Sequence, residues 1–312
     1  VMIFFIILFM GLAIYLVYFQ LFKAKSIAQN DNNRRLRVNE DAINRGSIYD
    51  RNGNVLAYSD KDYEGNSIRH YNYGKVSSTI TGYNYVGAAV VMNPKTGEVY
   101  SLVSNPTFDP NSVDDNWDNL IANNNGPLVN RTTTGLYRPG STFKIVTASS
   151  ILDNNIDQNY TDKGSESIQN FKIKNFGDQV FGAINLRKAF IYSVNTYFAA
   201  KTDAIGKEAF SKTTDKFMFN QSYPFDLEKY DSIIPYKELN KVDLAMTGFG
   251  YGKSQVTPLH MAMVTSAIAN DGKMMQPYMV AEIINKDNKK IYKAKIKVLS
   301  EVTDKDSAQT IR

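Results

Sequence analysis

Residues 137–144 read Tyr-Arg-Pro-Gly-Ser-Thr-Phe-Lys, and the serine and lysine in that stretch can do chemistry together. Pro139 and Gly140 cannot continue a helix or a central strand, so Tyr137-Arg138-Pro139-Gly140 predicts a turn. From Ser141 onward apolar residues recur at helical spacing, at Ile145, Ala148, Ile151 and Leu152. Ser141 therefore opens a helix, with Lys144 one turn up on the same face. A serine hydroxyl is a weak nucleophile until something takes its proton. A lysine amine held against it, partly out of water, has its pKa lowered and can serve as that base. The positive end of the helix dipole favours the developing alkoxide. Such a Ser-x-x-Lys pair suits acyl transfer without histidine.

A second pair follows. Ser193-Val194-Asn195 begins 52 residues after Ser141 and interrupts an otherwise helical pattern. The Ser193 hydroxyl can relay a proton between the lysine and a leaving amine. The Asn195 amide can both donate to and accept from a substrate peptide bond. Either motif alone is weak, because an N-cap serine with a solvated lysine, or a capping serine with a loop asparagine, matches equally well. Their order and pairing carry the reading.

The elements that must position these groups are legible in outline. A strand starts at Gly87, turns at Asn93-Pro94-Lys95-Thr96-Gly97 and returns through Val103. Residues 105–125 read as an Asn/Asp/Pro-rich loop around Trp117, the single tryptophan. Helices dominate from Ser141, with an irregular stretch at 221–241. Asp50 to Asn54 is a hairpin-type turn, its Asn-Gly supplying positive φ angles. Val1 to Phe19 carries no charge, enough apolar length to span a bilayer as a helix. Tyr15, Tyr18 and Phe19 suit an interfacial belt, so residues 1–22 read as a retained signal-anchor rather than a cleaved leader. Residues 23–44 are polar and read as a helical stalk. Lys23, Lys25, Arg34 and Arg35 lie after the span; a long following domain escapes the positive-inside rule.

Composition excludes several classes. With 43% hydrophobic residues over 312 positions, the chain can bury a core. Zero cysteines exclude disulfides and thiolate metal sites. A Ser-His-Asp triad would need His70 or His260, and His260 reads as a packed or surface residue of a helix. The net charge of +5 is modest, with no basic-aromatic cluster suited to nucleic acid.

The blocks RGSIYDRNGNVLAYS (45–59), GAAVVMNPKTGEVYSLVSNPTFDPN (87–111) and PLVNRTTTGLYRPGSTFK (127–144) resemble class B penicillin-binding proteins. So do SVNTYF (193–198) and TGFGYGKSQVTPLHMAMVTSAIANDG (247–272). These are membrane-anchored D,D-transpeptidases of bacterial cell-wall synthesis. The resemblance implies an α+β fold. It has a transmembrane helix (1–22), a stalk and β-rich pedestal remnant (23–86), and a transpeptidase domain (87–312) with antiparallel sheet and flanking helices. It implies an extracytoplasmic catalytic domain on a single-pass anchor in the cell membrane. Peptidoglycan stem peptides are then the substrate, β-lactams the inhibitors, and a polytopic glycan polymerase of the SEDS family the partner. No cofactor or metal is implied. Ser141 would be the nucleophile, Lys144 the base, Ser193 the proton shuttle and Asn195 the holder of the substrate amide.

Two departures qualify this. No Lys-Thr/Ser-Gly element follows Asn195, and Asp304 to Arg312 resembles the helix before the strand that carries it. The oxyanion hole, built from the Ser141 N–H and an N–H of that strand, would then have one donor, and acylation of the chain as it stands would be weak or absent. Residues 82–87 run directly into the catalytic domain where the family has a longer pedestal, so the chain looks shortened or partial. The rival reading is a non-catalytic relative or fragment that scaffolds wall synthesis from the membrane. A β-lactamase or β-lactam sensor shares the serine and lysine but does not explain residues 45–53 or 257–262. Two decoys are set aside. Lys95-Thr96-Gly97 precedes Ser141 and reads as a hairpin turn. Gly248 to Ser254 lacks the first glycine of a phosphate loop and reads as a glycine-rich loop before the Thr257-Pro258 helix start.

Overall fold

The computed structural model describes residues 86–109, 113–284 and 289–312, together with Tyr15 and residues 48–49, 55–61 and 67–71. The expected anchor (1–22), stalk (23–44) and 50–54 turn lie outside the described residues, apart from Tyr15, which is helical. Among the described residues no helix is long and apolar enough to cross a membrane. The chain divides into two compact units, Val1–Gly82 and Tyr83–Arg312.

In the first unit, β1 (Ile48–Tyr49), β2 (Val55–Lys61) and β3 (Ser67–Tyr71) form an antiparallel sheet in that order. Tyr58 and His70 sit directly opposite one another and their rings stack at 4.7 Å, a cross-strand pair that helps fix the register.

The second unit opens with the antiparallel hairpin β4 (Gly87–Met92) and β5 (Val99–Asn105). The stretch expected as a loop then forms a helix, α1 (Val113–Ala122), with no buried residue. The reason is local. Val113, Trp117, Leu120 and Ile121 share one helical face, and Asp114 and Asp115 complement the dipole in the first turn.

A 3-10 turn (Gly140–Phe143) leads into α2 (Lys144–Asp153), which is buried on most sides and forms the central helix of the unit. Helices were expected to dominate from here. Instead four short strands intervene: β6 (Tyr160–Asp162), β7 (Ser165–Ile168), β8 (Phe171–Lys174) and β9 (Gly182–Ile184), paired β6–β9 and β7–β8. Strands of three or four residues are too short to show a period of two in the sequence.

Next come α3 (Leu186–Ile191) and α4 (Asn195–Lys216), the latter broken at Gly206, whose φ of +77° only glycine adopts freely. After an irregular stretch come α5 (Lys241–Thr247) and α6 (Pro258–Ala269), then β10 (Lys273–Met275), β11 (Glu282–Ile284), β12 (Lys290–Lys293), β13 (Val298–Glu301) and α7 (Lys305–Ile311). β10 pairs with β13 and β11 with β12, so every pairing between named strands is antiparallel, in keeping with the α+β class.

The core packs α2 against α4. At its centre Phe143 is fully buried, with the Phe219 ring edge-on at 5.4 Å and Phe210 at 6.3 Å. A side chain of this kind contributes about 1.5–3 kcal/mol on burial. It also anchors the turn that carries Ser141.

Candidate active site

Ser141 is presented by a turn stitched to the glycine-rich loop. Tyr137 and Val256 exchange both backbone hydrogen bonds, at 2.9 and 2.8 Å. The Gly140 N–H donates to the Gly250 carbonyl at 3.0 Å. A Cβ on Gly250 would fall 1.8 Å from the Gly140 oxygen, so the two backbones can meet only because that side chain is absent. The Arg138 guanidinium lies over the Tyr251 ring at 5.6 Å, a cation–π contact that closes the clasp. The stretch that mimics a phosphate loop is thus the buttress of Ser141. With Phe143 buried on one side, Ser141 is left exposed while Lys144 is only 2% exposed. The sequence predicted an α-helix from Ser141; the chain enters through a tighter 3-10 turn and becomes α-helical at Lys144.

Ser193 reaches the same place from another direction. It follows the end of α3, where the Tyr192 N–H donates to the Lys188 carbonyl, the Ser193 N–H to Phe190 and the Val194 N–H to Ala189. That is a helix-terminating motif whose next residue sits in the left-handed region, a place glycine usually fills. Ser193 takes it with φ +55°. Backbone strain of this kind clusters where a side chain is needed in one position.

The two elements meet at the Lys144 amine. Its Nζ donates to the Ser193 carbonyl at 2.7 Å, to Ser193 Oγ at 2.8 Å and to Asn195 Oδ1 at 2.8 Å. Ser193 Oγ in turn lies 2.9 Å from Ser141 Oγ. The chain of hydrogen bonds therefore runs from Lys144 through Ser193 to Ser141, with no direct bond between Lys144 and Ser141. The Phe198 ring, 5.4 Å from Nζ, closes another side of the amine. Burial lowers the Lys144 pKa from 10.5 to about 8, because the charged form loses its water.

Ser141, Ser193 and Asn195 open onto one cleft of about 350 Å³. Phe176, Phe181 and Tyr192 form its apolar side. Phe181 and Tyr192 stack at 5.3 Å, and Phe176 stands 91% exposed at the rim. Asn195 directs Oδ1 at the lysine and leaves Nδ2 with one long bond, 3.4 Å, to the Lys174 carbonyl. Its amide can thus still meet a substrate peptide group.

Behind this cleft lies a polar cluster that sequence reasoning missed. Asp162 Oδ1 accepts from Thr196 Oγ1 at 2.7 Å, from the Gly164 N–H at 3.0 Å and from Asn175 Nδ2 at 3.1 Å. Its Oδ2 accepts from the Phe181 N–H at 2.8 Å and from Asn175 Nδ2 at 3.0 Å. The Thr196 N–H donates to Asn175 Oδ1 at 3.1 Å. Burial would raise the Asp162 pKa, but the bonds from Thr196, Phe181, Gly164 and Asn175 outweigh it and hold the carboxyl below its ordinary value. No spacing in the sequence distinguishes Asp162 or Asn175 from other loop residues.

The remaining candidates fall elsewhere. Lys95 and Thr96 occupy the turn between β4 and β5, where the Gly97 N–H donates to the Asn93 carbonyl at 2.9 Å. His260 is packed on α6, its Nε2 2.7 Å from the Phe217 carbonyl. Among the described residues no group of histidine and acidic side chains could hold a metal ion.

Comparison with known proteins identifies the family. The model of the penicillin-binding protein transpeptidase domain matches residues 87–312. Penicillin-binding protein 3 of Bacillus subtilis is 32% identical over 211 residues, 62% of this chain and 31% of that protein. Stage V sporulation protein D of the same organism is 34% identical over 229 residues, 70% of this chain and 34% of that protein. The peptidoglycan D,D-transpeptidase PbpA of Mycobacterium tuberculosis is 30% identical over 218 residues, 64% of this chain and 44% of that protein. The chain therefore spans less than half the length of these curated relatives. Among solved structures, the D,D-transpeptidase domain of a peptidoglycan glycosyltransferase from Eggerthella lenta superposes with a TM-score of 0.69 at 28% identity, covering 86% of this chain and 80% of that one. With most of its length matched by the family model and a Ser-x-x-Lys helix facing a Ser-x-Asn turn, the chain belongs to the class B penicillin-binding proteins.

Proposed function

We propose that the protein is a peptidoglycan D,D-transpeptidase working through an acyl-serine intermediate. The observation that carries this is the unbroken hydrogen-bond chain from the buried Lys144 amine through Ser193 Oγ to Ser141 Oγ. With Lys144 neutral, Ser141 O–H donates to Ser193 and Ser193 O–H to the amine. As Ser141 Oγ bonds to the penultimate D-Ala carbonyl carbon, its proton passes along that chain to Lys144. The proton returns through Ser193 to the nitrogen of the departing D-Ala as the C–N bond breaks. Asn195 Nδ2 holds the substrate peptide group. An amine of a neighbouring stem peptide then attacks the ester, and Ser141 leaves with its proton restored. A β-lactam acylates the same serine by the first step alone. Relatives support this reading. PbpA and the Escherichia coli protein MrdA carry the name peptidoglycan D,D-transpeptidase, and a solved M. tuberculosis penicillin-binding protein A of like fold is an imipenem acyl-enzyme.

The apolar run from Val1 to Phe19 supports a single-pass anchor, and the family supports an extracytoplasmic catalytic domain partnered by a SEDS-family polymerase. The direct test is labelling. The protein expressed from its complete gene should bind fluorescent penicillin covalently, with the adduct mapped to Ser141 by mass spectrometry. Ser141→Ala should abolish it. An unlabelled wild type would favour the non-catalytic scaffold.

A further inference from the structure

Thr196 and Asn175 join the Ser193-Asn195 turn to a carboxylate that touches neither the nucleophile nor the amine. Asp162 is 1% exposed and Thr196 fully buried, so these bonds form out of water, where each counts for more. Asp162 receives the Thr196 hydroxyl from the first turn of α4, and the Phe181 and Gly164 N–H groups from the loops on either side. Asn175 clamps the same helix from above. It accepts the Thr196 N–H and spends its two amide protons on Asp162 and the Gln179 carbonyl. Val194, at the N-cap of α4, offers no side-chain acceptor of its own. The helix start is therefore capped by side chains borrowed from the β6–β9 region. A buried carboxylate at this helix N-terminus is also favoured by the dipole.

We infer that Asp162 is a positioning residue for the catalytic turn: through Thr196 and Asn175 it holds Asn195 and Ser193 against Lys144, and through Phe181 it holds the cleft wall in register with them. This rests on the acyl-transfer reading of Ser141, Lys144 and Ser193. Thr196 is the immediate neighbour of Asn195, so a slack first turn of α4 displaces the amide that faces Lys144. Misplacement of about 1 Å at a reacting centre can lower a rate by roughly a hundredfold.

Asp162→Asn keeps the shape but turns one acceptor into an NH2 group facing donors. Thr196→Val removes the hydroxyl alone, and Thr196→Ser restores it. The experiment measures penicillin acylation of the complete protein, separating the non-covalent constant from the acylation rate k2, alongside the thermal midpoint. The expected result is k2 lowered roughly tenfold to a hundredfold in Asp162→Asn and Thr196→Val, with the non-covalent constant little changed. Thr196→Ser should stay near wild type. The double variant should lose no more than Asp162→Asn alone, because the Thr196 hydroxyl acts through its bond to Asp162. A k2 unchanged in folded Thr196→Val overturns the inference and leaves the acyl-transfer reading intact. Should the wild type not be acylated, that reading fails first. The Lys144 titration, followed by 15N resonance, still decides this one. Its midpoint should fall in Thr196→Val as the ammonium loses fixed acceptors, and an unchanged or raised midpoint overturns the role of Asp162.

Discussion

At the scale of single residues, the site turns on one buried lysine that the proposed mechanism needs both charged and uncharged in turn. Three acceptors surround the Lys144 ammonium, yet desolvation wins and brings its pKa down to about 8. In the unfolded chain the same amine titrates near its ordinary 10.5. Folding therefore disfavours the proton, by about 3 kcal/mol below pH 8, and this cost fades as pH rises toward 10.5. At pH 7 about a tenth of the molecules hold the neutral amine that the proposed mechanism requires. The second-order rate of penicillin acylation should accordingly rise about tenfold per pH unit up to pH 8 and level off above it. Lys144→Arg keeps the charge and cannot give up its proton, so it should acylate very slowly at every pH. A flat profile in the wild type would mean that Lys144 is not the base.

At the scale of elements, the site is made from the ends of helices rather than their faces. Ser141 stands in the turn that enters α2, Ser193 in the turn that leaves α3, and Asn195 at the start of α4. Helix ends leave backbone groups unpaired, and borrowed partners fill the gap: Gly250 for the first turn, Asp162 and Asn175 for α4. The left-handed Ser193 gives a test of what its position is worth. Ser193→Ala and Ser193→Gly both lose the hydroxyl, and both should acylate poorly. They differ only in backbone freedom, so the glycine variant should be the more stable of the two by about 1–2 kcal/mol. Equal chemical-denaturation midpoints for the pair would show that Ser193 carries no strain.

At the scale of the whole molecule, acid stability reports on how tightly the helical core closes. His260 sits on α6 with Phe219 at 4.7 Å and Tyr223 at 5.8 Å, its Nδ1 without a partner. Desolvation by these neighbours lowers its pKa to about 4, with nearby Lys229 adding to the effect while the Phe217 carbonyl and Asp231 oppose it. The unfolded chain takes up a proton there near pH 6.5 and the folded chain does not until about pH 4. Stability is therefore lost as pH falls through that window, up to about 3 kcal/mol. In His260→Gln the pH dependence of the urea midpoint between 6.5 and 4.5 should flatten by about one proton. The same slope in both proteins would place the acid sensitivity elsewhere.

The sequence by itself determined which residues are the candidates for chemistry and their order along the chain. Ser141, Lys144, Ser193 and Asn195 are legible because helical spacing and turn residues act over three or four positions, which a single sequence displays. The α+β class came with the family resemblance, and the hairpin expected at 87–103 is there as β4 and β5. What failed was short or shared. Four strands of three or four residues between α2 and α3 left no pattern, and α1 was hidden by the polar composition around it. Only the tertiary structure decided that Lys144 addresses Ser141 through Ser193, since 49 residues separate the lysine from that relay. It alone turned the glycine-rich loop into a buttress and gave Asp162 its place, 34 residues from Thr196. Packing closes such distances with forces that depend on every neighbour at once, so no local window of residues records them.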